Sequence, residues 1–135
     1  MKIRILINGE YKLISKIRYT KTGKKIEIYE FYAKLHQIVI LQKIQFEEHI
    51  LKKHIDINLE IIEKVLSEPD YVTKQSKSKK EHFYQKKIYD KIYFVVVSTY
   101  KNIRHTRFVL TAFSIDSQDF LKEKNIHYKY ISKKG

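Results

Sequence analysis

Histidine, arginine, threonine and lysine recur in this chain at spacings that suit proton transfer beside a phosphate. His49 and Lys53 are four residues apart in a stretch of helical period, and they share a helical face with Phe46 and Ile50. An imidazole that titrates near neutrality, held close to a cation at the edge of an apolar face, can pass a proton to or from a phosphate ester. Any one of six histidines is more often an ordinary side chain without a task, so His49 needs support from geometry. Arg107 and Thr111 fall on one face of a β-rich run with Val109 between them. A guanidinium offers a phosphate two parallel hydrogen bonds and a threonine hydroxyl adds another. The plain alternative is that Thr favours strands and Arg their rims. His82, Tyr84 and Lys86 alternate onto one face of a further run and bring an acid or base, a stacking surface and a cation.

The elements that must hold these residues follow from hydrophobic period. Ile92 to Thr99 is apolar on both alternating faces, which predicts a central strand covered on both sides. Thr106 to Ser114 pairs back on it through a turn that carries Arg104 and His105. Glu81 to Ile88 alternates as a neighbouring strand. Ile44 to His54 and Leu59 to Ser67 repeat at three and four residues as two helices, the second capped by Asp56 or Asn58 and ended by Pro69. Upstream, Lys2 to Ile7 and Tyr11 to Tyr19 flank Asn8-Gly9, whose tolerance of positive φ predicts a two-residue hairpin turn. Ile26 to Tyr32 continues that meander, and Leu35 to Leu41 follows as another short apolar strand or a strand-to-helix passage. Tyr71 to Thr73 and Ile126 to Ser132 are short strand candidates, and Asp116 or Ser117 opens a helix-like turn through Lys124.

The chain has 135 residues, the size of one compact domain, and 43% of them are hydrophobic, enough for a core. Absence of cysteine excludes disulfides, thiol nucleophiles and Cys-ligated zinc. The apolar run at the N-terminus is too short and too interrupted by Lys and Arg for a signal peptide, and no segment reaches spanning length, so a soluble cytoplasmic protein without membrane association is expected. Lys and Arg number 28 against 15 Asp and Glu, a net charge of +13. A polyanionic partner accounts for that surplus, and so does the Lys, Ile and Tyr bias of AT-rich coding. No Walker loop, dinucleotide fingerprint or HExxH pattern is present. His49 and His54 stand about 140° apart on a helix and cannot chelate one ion together. Neither a metal nor any other cofactor is expected.

The order of Glu48-His49-Ile50 and His54 on a helix, a second helix ending in Glu68-Pro69-Asp70, then Phe83-Tyr84-x-Lys86, Val95-Val96-Val97 and Arg107-Phe-Val-Leu-Thr111-Ala112-Phe113 resembles the phage-type nuclease domains of the barnase, EndoU, colicin and RelE-like fold. The resemblance covers about Ile40 to Ser114. It implies an α+β domain of two helices followed by an antiparallel sheet, and metal-independent cleavage of RNA. Carried over by position, the helix histidine falls on His49, the basic strand residue on Lys86, the cation of the last strand on Arg107 and its hydroxyl on Thr111. The His-Pro that often follows the first helix in such domains is His54-Ile55 here.

The expectation is therefore an α+β domain: two short helices on a four- to five-stranded antiparallel sheet, with residues 1–34 as a β-rich N-terminal extension and 35–135 as the nuclease-like core. The expected function is endoribonuclease cleavage by 2′-OH transesterification, in a toxin or a phage-associated protein. The catalytic set is His49, Lys86, Arg107, Thr111 and Tyr84. Lys53, Lys87, His82 and Arg104 are the RNA contacts. Expected partners are RNA and a cognate antitoxin or immunity protein. The other reading is a non-catalytic module of the same fold that binds nucleic acid or a partner, and convergence of the catalytic set on one concave surface discriminates between the two.

Overall fold

The computed structural model describes residues 4–7, 10–13, 15–19, 22–74, 80–99, 107–116 and 127–131. Ten strands and two helical segments are formed by them. β1 (Arg4–Ile7) and β2 (Glu10–Leu13) pair antiparallel as a separate two-stranded sheet, with Ile7 opposite Glu10 as the Asn-Gly turn predicts. The run expected to continue to Tyr19 breaks, and β3 (Lys16–Tyr19) joins the main sheet instead. β4 (Lys25–Ala33) and β5 (Gln37–Gln42) form a hairpin. Two helical segments follow, and then β6 (Tyr71–Lys74), β7 (His82–Ile88), β8 (Lys91–Thr99), β9 (Arg107–Ile115) and β10 (His127–Ile131).

The main sheet has eight strands in the order β10-β6-β7-β8-β9-β5-β4-β3, which corrects the expected four or five. It is mixed as well. β5 and β9 run parallel, with Val39 opposite Arg107 and Ile40 opposite Phe108. Both departures have one cause: β5 docks against β9 and brings with it β4 and β3, which were expected in an extension outside the core, so that the sheet lengthens. β8 stands fourth of the eight strands, as its two apolar faces predict, and its residues 92 and 94–98 are buried. Val95 and Val97 face the helices, while Phe94 stacks on Phe113 from β9 at 5.0 Å on the other face.

The first helical segment, α1, consists of Lys43–Gln45, π-helical Phe46–Ile50 and Leu51–Lys53. The second, α2 (Leu59–Ser67), starts where Asn58 Oδ1 accepts from the Ile61 amide at 2.8 Å and stops before Pro69, each the device its sequence supplies. Ile62, Val65 and Leu66 of α2 and Phe46 and Ile50 of α1 bury with Phe31, Val39, Leu41, Tyr84, Val95, Val97 and Val109 in one core. This cluster lies between the helices and one face of the sheet.

Candidate active site

The hairpin joining β4 to β5 brings an unexpected residue to the sheet. Lys34, Leu35 and His36 make its loop, closed by the His36 amide on the Ala33 carbonyl at 3.3 Å, and Gln37 takes a positive φ of 62°. The loop is fastened at two points. Lys34 N–H donates to the carbonyl of Leu66 at the end of α2 (2.9 Å), and Leu35 N–H donates to the Tyr84 hydroxyl (3.1 Å). The Tyr84 oxygen then lies 2.5 Å from Nδ1 of His36. Tyr84 is fully buried, so its hydroxyl needs an acceptor. Since Leu35 is a donor, the proton is directed to His36 Nδ1, which leaves the Nε2–H of His36 outward as a donor.

The His82 ring meets the His36 ring edge to face at a centroid distance of 4.5 Å. His82 Nδ1 lies 3.2 Å from the Lys80 carbonyl, an oxygen that can only accept, so Nδ1 carries the proton and Nε2 presents a lone pair. Two adjacent imidazoles thus hold opposite tautomers, one offering N–H and the other a base. Burial drives the His36 pKa down to about 4, helped by the charges of His82 and Arg107. That of His82 is lowered as well, chiefly by burial and then by Lys74, Arg107 and Lys129, with the bond to Lys80 opposing. Tyr84 is pushed up to about 12 by burial. The charged groups acting on the two rings are cations or the other imidazole, so a bound anion would offset their smaller share of what disfavours protonation, while burial, the larger cause, stays.

Arg107 opens β9 opposite Val39 and Thr99, and its charge bears on His36, His82 and Tyr84 together. Of the residues expected from sequence, His82, Tyr84 and Arg107 therefore converge, with Tyr84 as the support of a histidine and not a stacking surface, whereas His49, Lys86, Arg107 and Thr111, whose convergence was the condition set for catalysis, do not come together. Thr111 does not join them. Its even spacing from Arg107 is defeated by a register shift in which Val97 pairs with Val109 but Val96 with Thr111, leaving Leu110 as an extra residue. Beyond that bulge Ala112 faces the core and Thr111 the other side.

His49 lies elsewhere too. It is exposed with Glu47 and Glu48 rather than on the buried face of Phe46 and Ile50, because the wider i→i+5 turns of the π-helical stretch rotate it outward. The course of α1 carries it away from Arg107: Gln45 Nε2 donates to the Leu110 carbonyl (2.5 Å), the His54 ring is 6.1 Å from that of Phe113, and Asp56 accepts from Ser114 Oγ (2.5 Å). Lys53 is exposed at the end of the same segment. Lys86 shares the Tyr84 face of β7, but its ammonium donates to the Glu68 carbonyl (2.8 Å) and lies 3.5 Å from Asp70 Oδ1. Lys87 points to the opposite face, and its amide donates to Asp70 Oδ2. Arg104 lies outside the described residues.

His36 escaped the sequence reading because Leu35 to Leu41 looks like an uninterrupted strand. No Gly, Pro or Asn marks the reversal, since Gln37 adopts the left-handed conformation that such residues usually signal. Its partner Tyr84 is 48 residues distant, beyond the reach of any local pattern. Among the described residues no three His, Asp or Glu side chains converge as a metal site requires.

No match was found among curated proteins or solved structures. One family match, to the phage-Barnase-EndoU-ColicinE5/D-RelE like nuclease3 description, extends from residue 12 to residue 122. It is wider than the 40–114 stretch that carried the resemblance, and it takes in β3, β4 and the His36 loop along with β7 and β9. With most of its length so matched, and with its two helices and mixed sheet, the chain belongs to this family of phage Barnase-EndoU-colicin-RelE-like nuclease domains.

Proposed function

We propose that the chain is an endoribonuclease that cleaves by 2′-OH transesterification without a metal ion. The observation that carries this reading is the His36–His82 pair: two imidazoles in ring contact, fixed by Tyr84 and the Lys80 carbonyl in opposite tautomers, in surroundings whose charges are cationic. His82 Nε2 removes the ribose 2′-hydroxyl proton. The 2′ oxygen attacks the adjacent phosphorus, the bond to the 5′ oxygen breaks, and that oxygen takes a proton from solvent to leave as a 5′-hydroxyl beside a 2′,3′-cyclic phosphate. His36 Nε2–H and the Arg107 guanidinium donate to the non-bridging oxygens, whose charge grows in the transition state. Tyr84 is a positioning residue that holds His36.

The family description, whose words name phage and colicin nucleases, supports a role as a toxin or phage-associated protein restrained by a cognate antitoxin or immunity protein. Arrest of growth on expression of the wild type, but not of the His82→Ala variant, tests that role.

The decisive assay is incubation of purified protein with labelled RNA, and with DNA of the same sequence, in EDTA. RNA alone should be cut, leaving a cyclic phosphate, and His82→Ala, His36→Ala and Arg107→Ala should each slow the cut. A need for divalent metal, equal cleavage of DNA, or survival of activity in the two histidine variants overturns the mechanism. RNA binding without any cleavage turns the reading into that of a binding module.

A further inference from the structure

Near the histidine pair is a concavity of about 230 Å³ whose lining includes Lys34, Ser67, Glu68, Asp70, Lys86 and Tyr130. It shares two elements with the histidine site. Lys34 belongs to the same three-residue loop as His36, and Lys86 follows Tyr84 by two residues on the same face of β7, about 7 Å along the strand. The two sites are thus neighbours along one loop and one strand.

The chemistry of the lining differs from that of its neighbour. Around His36 and His82 the acting charges are cations, which suits a phosphate. Here Lys34 and Lys86 are balanced by Glu68 and Asp70, and two carboxylates make a poor phosphate site. A neutral ring with donors and acceptors on its edge is what a balanced lining accommodates. The Lys86 ammonium and the Asp70 carboxylate stand side by side at 3.5 Å, a donor next to an acceptor, and the Watson–Crick edge of a nucleobase sets a donor beside an acceptor in an order that differs between A or C and G or U. The Tyr130 ring closes the arrangement. Part of it packs on the core, and Lys34 Nζ lies over its face at 5.8 Å, so that face already holds a cation whose place a stacked ring would take.

We propose that this pocket is a nucleobase subsite. The base of a nucleotide next to the scissile bond stacks on Tyr130, in the place of the Lys34 ammonium, and sets its hydrogen-bonding edge against Lys86 and Asp70. The pocket gives the enzyme a base preference at one position. The proposal rests on the ribonuclease reading for the site beside it. It owes nothing to the family match for Tyr130, which lies past the matched residues.

Titration of the full chain with inorganic phosphate and with the four 3′-mononucleotides, followed by calorimetry, tests the subsite separately from cleavage. At least one nucleotide should bind about tenfold or more tightly than phosphate. Tyr130→Ala should weaken nucleotide binding roughly five- to a hundredfold, the range for loss of one base–aromatic stack, while phosphate affinity holds. Tyr130→Phe should restore it, and Asp70→Asn should reorder the four bases. His82→Ala should weaken phosphate and nucleotides together and leave their ratio unchanged. Nucleotides that bind no tighter than phosphate, or a ratio and base order indifferent to both Tyr130→Ala and Asp70→Asn, overturn the subsite. Base-dependent binding without RNA cleavage upholds it and removes the ribonuclease reading. Cleavage without base-dependent binding does the reverse.

Discussion

The buried Tyr84 hydroxyl lies 2.5 Å from Nδ1 of His36 while it also receives the Leu35 amide, so one oxygen fixes both the loop and the tautomer of its histidine. Tyr84→Phe deletes that oxygen with little change of volume and leaves the Leu35 N–H without its partner. The expected cost is about 1–3 kcal/mol of stability, read by urea denaturation. RNA cleavage should lose roughly tenfold in kcat with KM nearly unchanged, because the histidine loses orientation and not contact with substrate. A variant that is destabilised but cleaves at the wild-type rate would reduce Tyr84 to a structural role.

The contrast between His82 and His49 separates the geometric site from the one expected by sequence. His82→Ala should lower the rate about 10²- to 10⁴-fold, as loss of a general base does. His49→Ala, at an exposed position on α1, should stay within a few-fold of wild type. Initial rates on one labelled oligonucleotide decide the matter, and the opposite ranking restores the helix histidine as the base.

Burial and cationic neighbours hold His36 neutral, with a pKa near 4 against an ordinary 6.5. Between these values the unfolded chain binds a proton that the folded chain refuses, so acid favours unfolding. Stability should be complete above about pH 6.5, fall as the pH is lowered through that window and level off near pH 4. The lowered pKa of His82 acts in the same direction. His36 accounts for at most about 3 kcal/mol. Denaturant midpoints from pH 7 to pH 4.5 should slope less steeply in His36→Gln than in the wild type.

Single-stranded RNA held by a few of the cations around the site, Arg107, Lys74 and Lys129 among them, releases counterions on binding. With about three phosphates neutralised, log K should fall against log salt with a slope near −2. Arg107→Ala should flatten that slope by roughly 0.7. Binding measured by fluorescence anisotropy between 50 and 300 mM salt checks both values, and a salt-independent affinity would argue against phosphate contact here.

Gln45 reaches from α1 to the Leu110 carbonyl at the bulge of β9. Gln45→Ala should cost about 1 kcal/mol in chemical denaturation with the m-value unchanged, since one hydrogen bond is lost and no surface is newly exposed.

Much of the frame was legible in the sequence. The doubly apolar run of β8 marked a central strand, and α2 begins at Asn58, one of the two caps the sequence offered beside Asp56, and ends before Pro69 as expected. The site was legible only in part. His82, Tyr84 and Arg107 were found because strand alternation is local, whereas His36 reaches them through a loop with no turn residues and a contact 48 positions distant. Thr111 was misplaced for a related reason. Periodicity counts residues, and a strand with one extra residue falsifies the count without changing any residue type. The parallel docking of β5 on β9 joins segments separated by both helices and three strands, and nothing in either segment announces it.

Leu110 is the residue β9 does not need for its pattern. If it were excised, Arg107, Val109 and Ala112 would still alternate inward and Thr111 outward, so every facing in the strand would survive. What would go is shape, because an unpaired residue bends its strand and tightens the local twist. The bend of β9, which carries Arg107 at its start, is thus set by a position that carries no chemistry. Two proteins with identical catalytic side chains and a one-residue difference in this strand would hold the same tools in differently curved hands.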